Sequence, residues 1–400
     1  MIVEAQCGCK RGSAGCRRDT WLLMWVNKTR LPHVLPPSAY SSRTFFDREI
    51  DKIFAPGWHL VATNHELRRH GDFVTRDLWG TPVIVRRHDE RLVAFVNVCA
   101  HRHARLVHEK CGSAERFRCR YHGWEYDGAD GEVCVIPDAS SFVPLGRKGG
   151  RERLKSLRVE MLGGLVFVSL ENTGPSLREH LGEETSRMIE RFFHADLRLV
   201  HAGEAEHPCN WKIPIENVLE TYHVPFVHQN PLARHPEWFE VFSGKRSGDR
   251  EIVHQLRERF TSYEDSLGAE SRFYRAAMQL LHPAATTDYV HHHAFPNVVF
   301  GYTSIARFVQ VIEPIDRASS RASIRLFFDF GHAAPTFLVR AVEPALRLVA
   351  SRLIELVLRE DAAVYVDVQR GMEASPHAGV LGCREERVHA FQAYVASACA

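Results

Sequence analysis

The amino-acid sequence predicts an α+β fold made of a small antiparallel β domain and a larger domain whose sheet wraps around a long C-terminal helix. Between residues 58 and 98, apolar and polar residues alternate in short runs divided by glycine and proline, which is typical of antiparallel strands. Further strand-like segments fall between residues 198 and 330, and an apolar stripe at helical spacing occupies residues 335–370. Several strands followed by one long helix leave room for a pocket.

The chain of 400 residues is long enough for two domains that each have a core. We expect a disordered extension over residues 1–36, a first domain over residues 37–172 and a second over residues 173–400. The extension contains Cys7, Cys9 and Cys16, which we interpret as free thiols. Met24 is a candidate for the natural start of the protein, and recovery of Met1 or Ile2 by N-terminal sequencing would refute that hypothesis.

The elements of the first domain follow from its hydrophobic pattern. Apolar residues recur at helical spacing over residues 40–54, and Ser41 or Ser42 can cap that helix. The strands are predicted at residues 58–62, 72–78, 82–86, 92–98 and 163–169. Together they predict a small antiparallel sheet with loops at its tip.

The second domain begins with a predicted helix over residues 176–193, which has an acidic first turn. Strands are predicted at residues 198–206, 299–303, 304–314 and 323–330, and the long helix at 335–370. The polar and charged segment 244–283 is expected to be a loop that covers the pocket.

Composition excludes several classes of partner. The 51 lysines and arginines nearly balance the 49 aspartates and glutamates, so we expect no nucleic-acid partner. No apolar run approaches the roughly 20 residues of a membrane span. The ten cysteines are scattered through a large chain without the density of a disulfide framework, which predicts a cytoplasmic protein.

One motif predicts a metal site in the first domain. Cys99 and His101 are followed after seventeen residues by Cys119 and His122, and Gly123 and Trp124 come next. Four ligands of this kind suit structural zinc or a Rieske 2Fe-2S cluster, and a disulfide is a further alternative. Each loop supplies one cysteine and one histidine, which favours a two-iron cluster with chemically distinct ends.

A second constellation lies in the other domain. Glu216, Glu220 and His223 fall at the spacing of one helical face. Pro225 is expected to end that helix, so that His228 can converge on His223 from the next segment. The alternative is a pair of ordinary core histidines.

A third ligand is available on the long helix. Its apolar stripe includes Leu353, Val357 and Val364, and Asp361 interrupts the stripe at the same spacing. A lone buried acid costs several kcal/mol unless it is paired or binds metal. Two histidines and a carboxylate form the facial triad of non-haem iron oxygenases, and a buried ion pair is the alternative. Glu360 and Asp367 are expected on other, solvated faces.

From about residue 37 to the C-terminus, these motifs resemble the α subunit of a Rieske non-haem iron oxygenase, in the ring-hydroxylating oxygenase superfamily. The resemblance rests on the Cys99 and Cys119 motifs, on the segment from Asn210-Trp-Lys to His228, and on Glu360-Asp361 with Gln369-Arg370-Gly371. It implies a 2Fe-2S cluster with Cys99 and Cys119 on one iron and His101 and His122 on the other. It also implies a helix-grip (START-like) domain in which His223, His228 and Asp361 hold a mononuclear Fe(II).

The resemblance further implies how the parts cooperate. Glu220 stands where the family has an acid that bridges a cluster histidine of one subunit, here His122, to an iron-ligand histidine of its neighbour, here His223. Such a bridge implies a head-to-tail homotrimer. Glu at this position also occurs in family members that oxidise quaternary ammonium compounds.

The implied reaction is NAD(P)H- and O2-dependent hydroxylation of a small organic substrate, either an aromatic ring or an N-methyl or quaternary ammonium compound. Oxidative demethylation and a non-catalytic electron carrier are the alternatives. No GxGxxG motif is present, so a separate reductase or ferredoxin is expected to supply electrons. Substrate contacts are predicted from Asn217, residues 295–297, Tyr302, Phe308 and residues 244–283.

Overall fold

The computed structural model describes residues 30–142, 152–220, 222–228, 246–247, 251–259, 280–281, 288–303, 305–331, 336–382 and 385–400. The predicted α+β fold is confirmed, with two antiparallel seven-stranded sheets and a long C-terminal helix. None of the helices in these ranges has the length and apolar character of a membrane-crossing segment. Cys7, Cys9, Cys16 and Met24 lie outside the described residues.

The first sheet is built from alternating strands joined by tight turns. The strands up to residue 169 are β1 (Leu31–Pro32), β2 (Trp58–Thr63), β3 (Asp72–Leu78), β4 (Thr81–His88), β5 (Arg91–Val96), β6 (Cys111–Ser113), β7 (Arg116–Arg118), β8 (Glu125–Asp127), β9 (Val133–Val135), β10 (Ser156–Leu162) and β11 (Leu165–Ser169). The sheet order is β2-β11-β10-β5-β4-β3-β6, and β7, β8 and β9 form a separate small sheet. Between β3 and β4, Trp79 and Gly80 both have positive φ (52° and 81°), as a two-residue hairpin turn requires.

A short helical segment precedes this sheet. Helix α1 (Arg43–Glu49) begins after Ser42, whose side chain accepts a hydrogen bond from the Phe45 amide, as the capping prediction required. The chain continues as a π-helical turn, Ile50–Phe54, which buries Ile53 and Phe54.

The end of the predicted extension proves to be part of the fold. Leu31 pairs with Leu381 of β19 (Val380–Leu381), and both Leu31 and Leu35 are buried. Residues 31–35 therefore contradict a disordered extension that reaches residue 36, because their apolar side chains are removed from water by the C-terminal part of the chain.

The second sheet has the order β12-β18-β17-β16-β15-β14-β13. Its strands are β12 (Arg198–His207), β13 (Arg246–Ser247), β14 (Glu251–Arg259), β15 (Asp288–Ala294), β16 (Val298–Thr303), β17 (Ala306–Asp316) and β18 (Ser319–Phe328). Strands β13 and β14 lie within residues 244–283, so the prediction of a loop there was wrong for these two stretches. Residues 244–245, 248–250, 260–279 and 282–283 lie outside the described residues.

Both faces of the second sheet are covered. On the inner face, Ile312 and Phe328 share a core with Leu346 of the long helix, Thr336–Ala374. On the outer face, Phe300 and Phe327 pack against α3 (Glu183–Phe192) and against the first sheet. The helix predicted over residues 176–193 is divided, because Gly182, with φ 77°, separates α2 (Leu177–Leu181) from α3.

Candidate metal centres

Two loops of the first domain bend in the same way around a cysteine. The amide of His103 donates to the Cys99 carbonyl at 3.0 Å, and the amide of Gly123 donates to the Cys119 carbonyl at 3.0 Å. Both donor residues have positive φ, 60° at His103 and 73° at Gly123, so each loop turns sharply four residues after its cysteine. The turns bring the two buried thiols together and leave the histidines towards the surface.

The four predicted ligands lie together with their two types of donor separated. The His101 and His122 rings are 4.6 Å apart, and His101 stacks on Trp124 at 4.7 Å. Burial raises the pKa of the Cys119 thiol, and the neighbouring Cys99 adds to this effect. Two thiols inside and two imidazoles outside fit a cluster with chemically distinct ends better than one tetrahedral ion.

Sequence reasoning missed Tyr126 as part of this site. Its hydroxyl oxygen accepts a hydrogen bond from the Ala100 amide at 2.9 Å and lies 3.0 Å from Cys99 Sγ. Because the oxygen already accepts from Ala100, its own hydrogen can be donated to the sulfur. Tyr126 lies in β8, two residues after Trp124 of the motif, and this spacing was the only signal in the sequence.

The second centre brings His223, His228 and Asp361 together. Asp361 Oδ1 lies 3.6 Å from His223 Nε2 and 3.4 Å from His228 Nε2. One ligand atom from each residue falls within 4.8 Å of the others. Within the described ranges Asp361 Oδ1 has no hydrogen-bond partner, and the residue is 6% exposed. An unpartnered buried carboxylate oxygen beside two imidazole nitrogens fits a bound cation.

The local chain path differs from the predicted continuous helix. Helix α4 (Lys212–Val218) ends before Glu220, and α5 (Val224–Val227) begins just after His223. Pro225 lies in the first turn of α5, where a missing amide hydrogen costs nothing, so it helps to start a helix instead of ending one. His223 and His228 therefore flank a single helical turn.

The Nδ1 nitrogen of each of these histidines contacts a carboxylate. Glu220 Oε1 lies 2.5 Å from His223 Nδ1, and Glu360 Oε2 lies 2.9 Å from His228 Nδ1. The expectation that Glu360 is solvated was wrong, since its side chain is only 19% exposed. His228 contacts Glu360 on the long helix. Helical periodicity alone places Glu360 on a different face from Asp361.

Asn217 and Glu216 have different hydrogen-bond partners, although they are neighbours in the chain. Asn217 Nδ2 lies 3.5 Å from the Tyr365 hydroxyl, and its side chain also hydrogen-bonds Asp361. Glu216 instead accepts hydrogen bonds from Tyr40 and from Gln392 Nε2. Burial is the largest influence on Asp361 and raises the pKa of its carboxyl, although His223 and His228 oppose this shift.

The predicted substrate contacts divide between the two faces of the sheet. Phe308 lies in the inner-face core, and Gln310, which was not anticipated, lies on the same face by strand alternation. Tyr302 packs 5.3 Å from Phe192 of α3 on the outer face, so the structure contradicts its role as a substrate contact. Asn297 donates to the Ile312 carbonyl at 3.0 Å, which gives it a structural partner.

The predicted contact at Phe295 has a packing role in this structure. Its ring centroid lies 3.6 Å from that of Tyr394 in the C-terminal helix, Glu386–Ala398.

The fold and the two centres define a Rieske-type iron protein with a second metal centre in a helix-grip domain. Residues 194–400 match the ring-hydroxylating alpha subunit catalytic domain, and residues 57–157 match the Rieske [2Fe-2S] domain. The chain therefore belongs to the ring-hydroxylating alpha subunit family, as its motifs predicted. The cofactors that these two domains bind are the 2Fe-2S cluster and a mononuclear iron.

Curated relatives are similar over part of the chain. The large subunit of anthranilate 1,2-dioxygenase from Burkholderia cepacia is 33% identical over 201 residues, 48% of this chain and 47% of that protein. The large oxygenase component of the naphthalene 1,2-dioxygenase system from Pseudomonas aeruginosa is 32% identical over 51% of this chain and 46% of its own length. The chain thus spans about half the length of the curated relatives it matches.

Solved structures share the fold over nearly the whole chain. The quaternary ammonium Rieske monooxygenase CntA in complex with L-carnitine superposes with a TM-score of 0.70 at 21% identity, covering 93% of this chain and 96% of that one. Naphthalene 1,2-dioxygenase with indole bound gives a TM-score of 0.69 at 21% identity, with coverage of 92% and 93%.

Proposed function

We propose that this protein is the oxygenase component of a Rieske non-haem iron oxygenase system. It would hydroxylate a small organic substrate with O2 and with electrons that originate from NAD(P)H and arrive through a separate reductase or ferredoxin. The observation that carries this proposal is the convergence of His223, His228 and Asp361 on one point, with an Asp361 oxygen that has no hydrogen-bond partner among the described residues.

The two donor sets support the following assignment of ligands. Cys99 and Cys119 would hold one iron of the cluster, and His101 and His122 the other, while His223, His228 and Asp361 would hold the mononuclear Fe(II). When bound, the cluster supplies single electrons and the mononuclear iron supplies O2 activation. Domain limits of 37–172 and 173–400 keep each ligand set within one domain.

Glu220 is proposed as the bridge between the two kinds of site. It accepts hydrogen bonds from the backbone amides of Tyr222 and His223 and lies against His223 Nδ1. A carboxylate held in this way fixes which ring nitrogen of His223 is free for metal. Its second function would be to accept a hydrogen bond from His122 of a neighbouring subunit.

The surface around each centre supports an intersubunit arrangement. Tyr121, beside His122, is 55% exposed, and Tyr222 and Phe226, beside the His223 site, are 56% and 73% exposed. Aromatic residues exposed next to both centres are characteristic of interface anchors. A head-to-tail homotrimer would place the cluster tip of one subunit against Tyr222 and Phe226 of the next.

The remaining residues of the site would prepare it for the substrate. Asn217 holds Asp361 and the Tyr365 hydroxyl in fixed positions, which orients the carboxylate. Phe308 and its neighbours on the inner face of the sheet exclude water, and Gln310 supplies a polar group on that same face. The described cysteines are all free, and we propose a cytoplasmic location on that basis.

The substrate is proposed to be a small aromatic compound. The relatives with about one-third identity carry names of dioxygenases for aromatic rings, whereas the quaternary ammonium monooxygenase is 21% identical. Glu220 in place of aspartate is the feature that favours N-methyl or quaternary ammonium compounds. A screen of peroxide-driven turnover, scored by product mass on aromatic acids and N-methyl compounds, distinguishes these classes and also reveals oxidative demethylation.

The metal assignment is tested by two complementary variants. Cys119→Ala should lose the visible absorption of the cluster and keep the mononuclear metal, whereas His223→Ala should lose one iron per chain and keep that absorption. Iron quantification and visible spectra measure both. A non-catalytic Rieske carrier, the alternative function, predicts that the wild-type protein holds no iron in excess of its cluster, and that result would overturn the proposal.

A further inference from the structure

The two proposed iron-ligand histidines are supported by carboxylates of different origin. Glu220, next to His223, comes from the irregular link between α4 and α5, and it also accepts two backbone hydrogen bonds. Glu360, next to His228, comes from the long helix and precedes Asp361 directly. Glu220 lies two residues before the exposed Tyr222, whereas Glu360 is fixed on the long helix beside Asp361, so the two carboxylates are placed for different tasks.

The Glu360 contact determines which nitrogen of His228 is available. Glu360 Oε2 is 2.9 Å from Nδ1, while Nε2 on the other side of the ring is 3.4 Å from Asp361 Oδ1. An ionised carboxylate can only accept a hydrogen bond, so the contact requires the hydrogen on Nδ1. The lone pair of a neutral His228 then lies on Nε2 and points to the side where Asp361 lies.

The long helix holds this arrangement rigidly. Leu346 and Ala350 anchor it in the inner-face core, and Gln369 accepts a hydrogen bond from the Asn210 amide at 2.8 Å. Glu360 and Asp361 are neighbouring carboxylates on one helix, and their negative charges repel each other. A divalent cation between Asp361 and His228 would offset that repulsion, because it is attracted to both carboxylates.

We propose that Glu360 is a positioning residue for the mononuclear metal, which fixes the tautomer and ring orientation of His228. The long helix thereby supplies both a ligand, Asp361, and the support of a second ligand. The His228 arm is complete within one chain, which leaves Glu220 free to serve a neighbouring subunit. This inference rests on the proposed iron site.

The test measures metal affinity, not turnover. The full chain with its cluster intact is depleted of mononuclear iron and titrated with Co(II) against a competing chelator, and the ligand-field absorption of Co(II) is recorded. Glu360→Leu removes the acceptor and should weaken Co(II) binding about 10- to 100-fold, the usual effect of losing such a support. Glu360→Gln keeps an acceptor oxygen and should recover part of this loss.

Asp367→Asn is the matched control, since Asp367 lies on the same helix with a side chain that is 82% exposed and 3.9 Å from Arg370. It should leave Co(II) affinity unchanged. Unaltered cluster absorption and melting temperature show that each variant is folded.

Two results would overturn the inference, and they are distinguishable. If wild-type protein binds Co(II) but Glu360→Leu binds it equally well or more tightly, His228 and Glu360 form an ordinary ion pair and only this inference fails. If the wild-type protein binds no Co(II) and His223→Ala behaves identically, the proposed iron site fails with it.

Discussion

Replacing Lys212 with methionine tests how α1 is held against the helix that leads into the metal centre. Lys212 Nζ lies 2.6 Å from Glu49 Oε1, and both side chains are 0% exposed. Nζ also donates to the Ala39 carbonyl at 3.0 Å. The variant would leave the Glu49 carboxylate buried with the Trp211 indole nitrogen, at 3.1 Å, as its remaining donor.

The expected cost is large because a charge stays buried without its partner. Removing one member of a buried ion pair typically costs about 3–5 kcal/mol, and we expect Lys212→Met to lower the free energy of unfolding by that amount. The double variant Lys212→Met/Glu49→Leu should recover most of it, because no charge then remains in the apolar site.

The stability that Lys212→Met loses should also depend on pH. Burial raises the pKa of Glu49, and Lys212 opposes that shift, so removing Lys212 raises it further. A carboxyl whose pKa is higher in the folded state binds more protons there, and stability falls as pH rises from the unfolded pKa of about 4.3 through the folded value. The deficit of Lys212→Met should therefore be smaller at about pH 5 than at about pH 7.5.

Urea unfolding followed by tryptophan fluorescence at the two pH values measures these differences. Lys110→Met is the matched control, because Lys110 Nζ pairs with Glu204 at 3.0 Å while its side chain is 82% exposed, and such surface pairs contribute about 0–1 kcal/mol. If Lys212→Met costs less than about 1 kcal/mol, or if the double variant is no more stable than the single one, the buried-charge reasoning is refuted.

Two further substitutions test the proposed electron transfer between the centres and the reduction potential of the cluster. Glu220→Gln should retain both metals but slow electron transfer in a single turnover by about 10- to 100-fold, because the amide is a weaker partner for the imidazoles of the proposed bridge. Stopped-flow return of the oxidised-cluster absorption at the wild-type rate would contradict the bridge. Tyr126→Phe removes a hydrogen bond to Cys99 Sγ, which should lower the cluster's reduction potential because the reduced cluster is more negative. A net hydrogen bond of about 1 kcal/mol corresponds to about 40 mV for one electron, and a redox titration within about 10 mV of wild-type would count against it.

The sequence predicted best those features that depend on residues close together in the chain. The cysteine and histidine spacing at Cys99 and Cys119 predicted loops that the structure builds, because each loop closes on itself within four residues. The fold class, the strand at residues 72–78 and the cap at Ser42 also follow from patterns of a few neighbouring residues.

Side-chain contacts between residues that are far apart in the sequence could not be predicted from such patterns. Tyr126 meets Cys99 across 27 residues, and Glu360 meets His228 across 132. Helical periodicity assigned Glu360 to a solvated face because it considers one helix in isolation, whereas His228, which follows α5 directly, contacts Glu360 on that face. Pro225 was misassigned for a related reason, since a proline ends one helix or starts the next according to where the chain has already turned.

The buried polar residues of the long helix support the proposal of a cation at the second centre. Asp361, Tyr365 and Gln369 follow one another at four-residue spacing, and all three are buried. The Tyr365 hydroxyl has Asn217 as a partner, and Gln369 has the Asn210 amide and Tyr40 carbonyl. The other buried polar groups on this helix face are hydrogen-bonded, while Asp361 Oδ1 has no hydrogen-bond partner in the described ranges and faces two imidazole nitrogens. Since a buried polar atom without a hydrogen-bond partner costs about 1–3 kcal/mol, this contrast along one helix face supports the proposed metal ion beside Asp361.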